Sequence, residues 1–210
     1  MSVSKDELQF EDAAKPARPR SNGCLKWFLI FAGIGCIGML GCCGVSYYLF
    51  MPKIVTKPAQ VDAFLQEIAD VKMLPDFKGE TGVKMNFIFM EMRMCRYAHT
   101  SGKGELQLIE MSMNGNNAGG NAELEVQMQK QKQVEMKALN VKTTESQDLE
   151  IRGQSATFTT VFGQDVSSKT EYYQVEGTFL GKNGPAKLML QVEAEIWDAE
   201  AVTELLESLK

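Results

Sequence analysis

Histidine is almost absent from this chain of 210 residues, which contains His99 alone. A single histidine removes most of the chemistry that uses this residue as a general base or as a metal ligand. The sequence also lacks the nucleophile pattern G-x-S-x-G, the P-loop, the G-x-G-x-x-G pattern and any Cys or His spacing typical of a metal site. These absences predict a protein that is not an enzyme and needs no cofactor.

Cysteine is scarce beyond residue 51, where Cys95 is the one thiol. An internal disulfide is therefore excluded in residues 52–210, and the fold there must be stable through its core. Positive charge is also in deficit, since 22 Lys and Arg face 27 Asp and Glu and the net charge is −5. A general nucleic-acid binder needs a basic face, so we expect no nucleic-acid partner.

Charge is missing altogether from residues 27–51, a run of 25 residues. A helix of this length is roughly 37 Å long, enough to cross a hydrocarbon core of about 30 Å. We therefore predict a transmembrane helix over 27–51 that contacts the lipid bilayer. Four basic residues precede it: Lys15, Arg18, Arg20 and Lys26. This excess predicts a single-pass protein of the inner cell membrane, with a cytoplasmic N-terminus and an extracytoplasmic C-terminal domain.

Two alternatives for this segment are a cleaved signal peptide and a lipoprotein anchor. A signal peptide has a shorter apolar stretch of about 7–15 residues. The sequence from Met39 to Cys42 is a loose lipobox, in which Cys42 would carry the lipid. The uncharged run continues to Met51, and this length favours an uncleaved anchor.

Glycine recurs at every third position within the predicted span, at Gly35, Gly38, Gly41 and Gly44. Small residues let helix backbones approach closely in lipid, so this stripe predicts packing against a second copy or a partner helix. The alternative is that glycine is simply common in membrane helices.

The pattern of charge and hydropathy divides the chain into four parts. These are a disordered cytoplasmic tail (1–26), the transmembrane helix (27–51), a connector (52–57) and an extracytoplasmic domain (58–210). In that domain the order is helix, two strands, helix, four strands and helix. The predicted strands cover 86–97, 105–113, 141–152, 155–163, 171–180 and 186–194. Strands that are joined by hairpins predict an α+β fold, an antiparallel sheet with flanking helices.

Two further predictions concern helices. Val61, Leu65 and Ile68 form an apolar stripe after Pro58, and the spacing predicts the first helix. A polar, Gln-rich helix is predicted over 122–139. The final helix is predicted to begin after Asp198, the N-cap.

The run EYYQVEGTFLGKNGPAKLMLQV and the closing WDAEAVTELLESLK resemble the end of uncharacterised bacterial single-pass membrane proteins. The element order is also similar to the PsbP-like fold. This resemblance implies an extracytoplasmic α+β domain over about the last two thirds of the chain. It carries no signature motif and transfers no functional residue.

Methionine is the most suggestive feature for binding. Alternating methionines occupy two neighbouring predicted strands: Met90, Met92, Met94, Met111 and Met113. If these strands pair, up to five thioethers approach one another, and soft sulfur ligands favour Cu(I). The favoured interpretation is that the methionines fill the buried side of a sheet, so no metal site is predicted and the five methionines are only candidate ligands. Cys95 points to the opposite face from Met94, and His99 follows the strand end.

Carboxylates on the same strands offer a second chemistry. Glu91 and Glu110 could act as acid and base, but a cross-strand ion pair with Arg93 on the solvent face is the simpler interpretation. A hydrolase would depend on His99 and is a more distant hypothesis. The leading hypothesis is a membrane-anchored binding or scaffolding protein with an unknown protein partner, and Cu(I) binding through the methionines is the alternative.

Overall fold

The computed structural model describes residues 51–87, 89–113 and 136–209, together with Trp27, Ile30 and Phe31. The chain divides into two compact units, residues 1–46 and 47–210. In the first unit the three described residues are helical, and the rings of Trp27 and Phe31 lie 5.9 Å apart. The predicted glycine stripe at 35, 38, 41 and 44 lies outside the described residues.

No helix in the part of the chain that the structure describes is long and apolar enough to cross a membrane. A span needs about 20 consecutive apolar residues in a helix, and of residues 27–51 only Trp27, Ile30 and Phe31 are described as helical. On this finding, the predictions of a single-pass membrane protein and of its place in the inner cell membrane are wrong. Residues 28, 29 and 32–50 lie outside the described residues.

The second unit is built on one antiparallel sheet of eight strands. The strands are β1 (Lys53–Val55), β2 (Phe77–Asn86), β3 (Met90–His99), β4 (Gly104–Met113), β5 (Leu139–Ile151), β6 (Gln154–Asp165), β7 (Glu171–Leu180) and β8 (Pro185–Glu193). Two α-helices are described in this unit, α1 (Pro58–Ile68) and α2 (Ala199–Glu207), and a short 3-10 helix (Ala194–Ile196) precedes α2.

The strand order across the sheet is β1-β2-β3-β4-β8-β7-β6-β5. Strands β1 to β4 form one meander and β5 to β8 form a second, because neighbours in each group are also consecutive in sequence. The two meanders meet where β4 pairs with β8, with Leu106 opposite Leu190 and Leu108 opposite Leu188. This central pairing makes one continuous sheet.

The hydrophobic core lies on one face of the sheet, which we call the helix face. On it, Leu106, Leu108, Leu188 and Leu190 are fully buried. Both helices contribute to the same core, α1 with Val61, Leu65 and Ile68 and α2 with Val202, Leu205 and Leu206. Because side chains alternate along a strand, the residues between these leucines point to the opposite, outer face.

Several sequence predictions are confirmed. The helix α1 begins at Pro58 and buries Val61, Leu65 and Ile68. Asp198 caps α2, since its side chain accepts a hydrogen bond from the Ala201 amide at 3.0 Å. The four predicted C-terminal strands correspond to β5, β6, β7 and β8, with ends that differ by no more than two residues.

The predicted α+β class is wrong, because the described chain is mostly β, a single large sheet with two helices. Two strands were not predicted. β1 lies within the predicted connector, and β2 carries Gly79 and Gly82 where α1 approaches the sheet. A Cβ at Gly79 would lie 2.7 Å from the Val61 Cβ, and one at Gly82 would lie 2.7 Å from Val55. A strand packed through glycine shows no apolar alternation, which is why the sequence does not predict it.

Two boundaries also differ. The predicted strand over 86–97 includes the turn between β2 and β3, since β3 begins at Met90. In the predicted helix over 122–139, residues 122–135 lie outside the described residues, and Leu139 begins β5.

A substitution at Gly177 tests how closely the side chains of the second meander pack. It lies opposite Phe158, which is 1% exposed, and a Cβ there would overlap the phenyl ring. We expect Gly177→Ala to lower the free energy of unfolding by about 1–3 kcal/mol, as overpacking does. The neighbouring Thr178→Ala is the control, with an expected change below about 1 kcal/mol. Urea unfolding measures both, and equal midpoints for the two variants would contradict this packing.

Candidate functional site

Six methionines from three adjacent strands lie on the outer face of the sheet. We call them the methionine surface: Met85, Met90, Met92, Met94, Met111 and Met113. Each is half-buried, and none belongs to the hydrophobic core on the helix face. The alternation of β3 and β4 produces this surface, because Cys95, Tyr97, Leu106 and Leu108 of the same strands point to the helix face and are buried there.

The strand register sets the methionines side by side. Met92 on β3 lies directly opposite Met85 on β2 and directly opposite Met111 on β4. Met90 lies opposite Met113 in the next row. Residues that face each other across antiparallel strands have Cβ atoms about 4.5–5.5 Å apart. Three thioether side chains therefore stand in one row across β2, β3 and β4.

Polar and aromatic residues border the methionine surface. The Gln107 amide nitrogen lies 2.9 Å from the Met94 sulfur and donates to it. Arg96 and Glu105 form an exposed pair further along the same strands, with Nε and Oε1 2.7 Å apart. At the turn between β2 and β3, Phe89 is 74% exposed. The methionine surface thus lies near the turn between β2 and β3, which we call the hairpin end of the sheet.

The chain that enters β5 occupies a different part of the outer face. The Lys137 amide donates to the Gln191 side chain at 2.8 Å, and Gln174 donates to the Lys137 carbonyl at 2.8 Å. The Lys137 ammonium lies 4.2 Å from the centre of the Tyr172 ring. These contacts fix residues 136–138 over β7 and β8, on the other side of β4 from Met85 and Met92.

The sequence predicted five of the six methionines and the pairing of their strands, and the structure brings those five together. It missed Met85, because β2 was not predicted as a strand. The interpretation that these methionines pack the buried side of a sheet stays a prediction; in the described residues they lie outside the hydrophobic core of the helix face. Cys95 lies on that face as predicted, opposite Gly82 and Leu108. The metal-binding role of the methionines stays a prediction.

His99 lies at the far end of β3 from the methionine surface, roughly 30 Å from Met90 at the usual rise of a strand. The Ser101 amide donates to its Nδ1 at 3.2 Å, and the Ser101 hydroxyl lies 2.7 Å from the same atom. Its ring packs edge-on against Phe77. Through these contacts His99 caps the turn after β3. At this distance it is not part of the methionine surface.

Glu91, Arg93 and Glu110 are paired, but on the helix face and not on the solvent face that the sequence predicted. Arg93 donates to Glu110 at 2.7 Å, and Glu110 is only 1% exposed. Arg93 also contacts Glu91 and Glu67. The Asn183 amide donates to the second Glu110 oxygen at 2.7 Å. The carboxylates therefore neutralise a buried guanidinium, and Glu110 also holds the turn before β8.

The Cys95 thiol is buried beneath α1, and its sulfur lies 3.9 Å from the Val61 carbonyl. Burial, together with the charges of Glu67 and Asp62, raises the pKa of this thiol to about 12. Burial and the hydrogen bond to Asp62 also raise the pKa of Tyr97 above its usual value. Because the thiolate is the reactive form, burial of Cys95 disfavours its reaction as a nucleophile at neutral pH.

No protein family matches the chain, and a comparison with characterised proteins gives no match. The resemblance to the PsbP-like fold therefore stays a prediction. In the described ranges, no group of three or more His, Cys, Asp or Glu side chains is arranged to hold a metal ion. The thioethers of the methionine surface are a separate class of ligand.

The reactivity of Cys95 tests its burial. At pH 8 we expect iodoacetamide to leave Cys95 unmodified in the folded protein, because its pKa of about 12 keeps it protonated. In urea the pKa returns to about 8.5, and alkylation should proceed. Mass spectrometry of the peptide that contains Cys95 measures the extent. Alkylation at similar rates with and without urea would contradict the buried position.

The Arg93–Glu110 pair predicts a large effect on stability. Glu110→Leu should lower the free energy of unfolding by about 3 kcal/mol, the lower end for loss of one partner of a buried pair, because Arg93 keeps Glu67 and Glu91. Lys142→Ala is the matched control: it breaks the half-exposed pair with Glu171 and should cost less than about 1 kcal/mol. Urea unfolding compares the two, and equal losses would argue against a buried pair.

Proposed function

We propose that residues 53–209 form a non-catalytic binding domain, and that the methionine surface is its binding site. The observation that carries this proposal is the row of Met85, Met92 and Met111 on the outer face. None of these three side chains belongs to the hydrophobic core on the helix face, so the core does not depend on them. A surface of this composition is suited to contact with a ligand.

The chemistry of methionine supports the same proposal. Its side chain is unbranched and polarisable, so that it adapts to an apolar or soft partner. The six side chains are half-buried, which holds their stems against the sheet and leaves part of each one accessible. The backbone of three paired strands positions them, and sites on strands are held more precisely than sites on loops.

The groups suited to catalysis have structural partners instead. Glu110 is bound to Arg93 and Asn183, and Cys95 is buried and protonated. His99 caps its own turn through Ser101. These contacts favour binding over hydrolysis as the function of the domain.

Oxidation of methionine tests whether this surface binds a ligand. Peroxide converts accessible methionine to the sulfoxide, and mass spectrometry reports the rate at each site. We expect an extract of the native cells, added to the purified full chain, to slow the oxidation of Met85, Met92 and Met111 several-fold relative to Met51. A bound ligand removes the thioethers from solvent, while Met51, which is 57% exposed, corrects for consumption of peroxide by the extract.

Met73 is a second internal reference, because it packs against the core on the helix face. Its rate should change in the same proportion as that of Met51. If all five methionines slow by one common factor, the surface binds nothing in the extract and the proposed function is wrong.

A further inference from the structure

The row of three thioethers has the composition of a soft-metal site. Met85, Met92 and Met111 face each other on consecutive strands, and neighbouring strands lie about 4.8 Å apart. The side chain of methionine has three rotatable bonds, so three sulfur atoms on adjacent strands can converge on one point above the middle strand. The central residue of that arrangement is Met92.

The donor set selects the ion. Thioether ligands are soft and uncharged, and they select Cu(I) over the hard cations Mg²⁺ and Ca²⁺, which need oxygen ligands. The charged residues Glu91 and Arg93 that flank Met92 in sequence point to the helix face, where they pair with each other. No carboxylate is therefore supplied to the row by the residues next to Met92 on β3.

We propose that Met85, Met92 and Met111 bind one Cu(I) ion through their three sulfur atoms. This proposal rests on the proposed function and names the class of ligand that the methionine surface takes. Met94 is not part of the set, because its sulfur accepts a hydrogen bond from Gln107. Met90 and Met113 form the next row, two residues towards the hairpin, and border the ion without being needed to bind it.

Titration of the full chain with Cu(I) under anaerobic conditions tests this site. The protein carries Cys24→Ser, Cys36→Ser, Cys42→Ser and Cys43→Ser, so that thiols outside the sheet do not take the metal, and Cys95 is kept because it is buried. Competition with a coloured Cu(I) chelator measures the affinity. We expect one Cu(I) per chain with a Kd below about 1 μM.

Leucine variants assign the ligands, since exchange of Met for Leu conserves the volume and removes the sulfur. We expect Met85→Leu, Met92→Leu and Met111→Leu each to weaken the affinity by at least about 10-fold, because each removes one of three ligands and loss of an outer-shell partner alone costs about 10- to 100-fold. Met73→Leu is the matched control on the helix face and should bind as before. Circular dichroism checks that each variant folds.

The methyl resonances of methionine give a readout that stability does not affect. Ag(I) is a soft cation that serves as an air-stable substitute for Cu(I). In protein labelled with [methyl-¹³C]methionine, we expect Ag(I) to shift the methyl signals of Met85, Met92 and Met111 and to leave that of Met73 unchanged. Absence of Cu(I) binding at micromolar concentration, or binding that survives Met92→Leu, overturns the proposal.

The experiments distinguish failure of the copper assignment from failure of the proposed binding function. Protection of the row by cell extract in the peroxide experiment, together with no binding of Cu(I), overturns the copper assignment and leaves the binding function standing. Absence of protection overturns the binding function itself.

Discussion

The sheet buries its core on one face, and this constraint decides where every other residue of the strands points. Leu106, Leu108, Leu188 and Leu190 fill the space beneath α1 and α2. Because side chains alternate along a strand, the register that buries these leucines also sends Met92, Met94 and Met111 to the outer face. A slip of one residue would exchange the two sets. The core therefore fixes the methionine surface without any contact between them.

The buried charges follow from the same constraint. Arg93 and Glu110 occupy helix-face positions near the hairpin end, in the alternation that puts Cys95 and Leu108 into the core. Two charges in such a place are tolerated only when they are paired and hydrogen-bonded. Glu67 from α1 and Glu91 from β3 also contact Arg93, and Asn183 from the turn before β8 donates to Glu110. The pair thus joins α1, the paired strands β3 and β4, and the turn before β8.

The sequence predicts the elements whose residue pattern has a clear period. The alternation through Leu188 and Leu190 marks β8, and the stripe of Val202, Leu205 and Leu206 marks α2. β2 was not predicted, because Gly79 and Gly82 leave room for Val61 and Val55 and its helix face therefore shows no apolar alternation. Met85 was missed for the same reason. The pairing of Arg93 with Glu110 was predictable from strand register, but the face on which they lie depends on the position of α1, which local pattern does not contain.

The division into two meanders has a consequence for how the chain folds. Each pair of neighbours within a meander is linked by a short connection or by one helix, so most of the sheet forms from contacts that are local in sequence. Among the described strand pairs, the pairing of β4 with β8 is the one that joins the two meanders across a long stretch of sequence, Glu110 with Ala186 and Gly104 with Val192. Closing a long loop costs entropy before its contacts are gained. We therefore expect the pairing of β4 with β8 to set the folding rate, with each meander partly formed before these two strands pair.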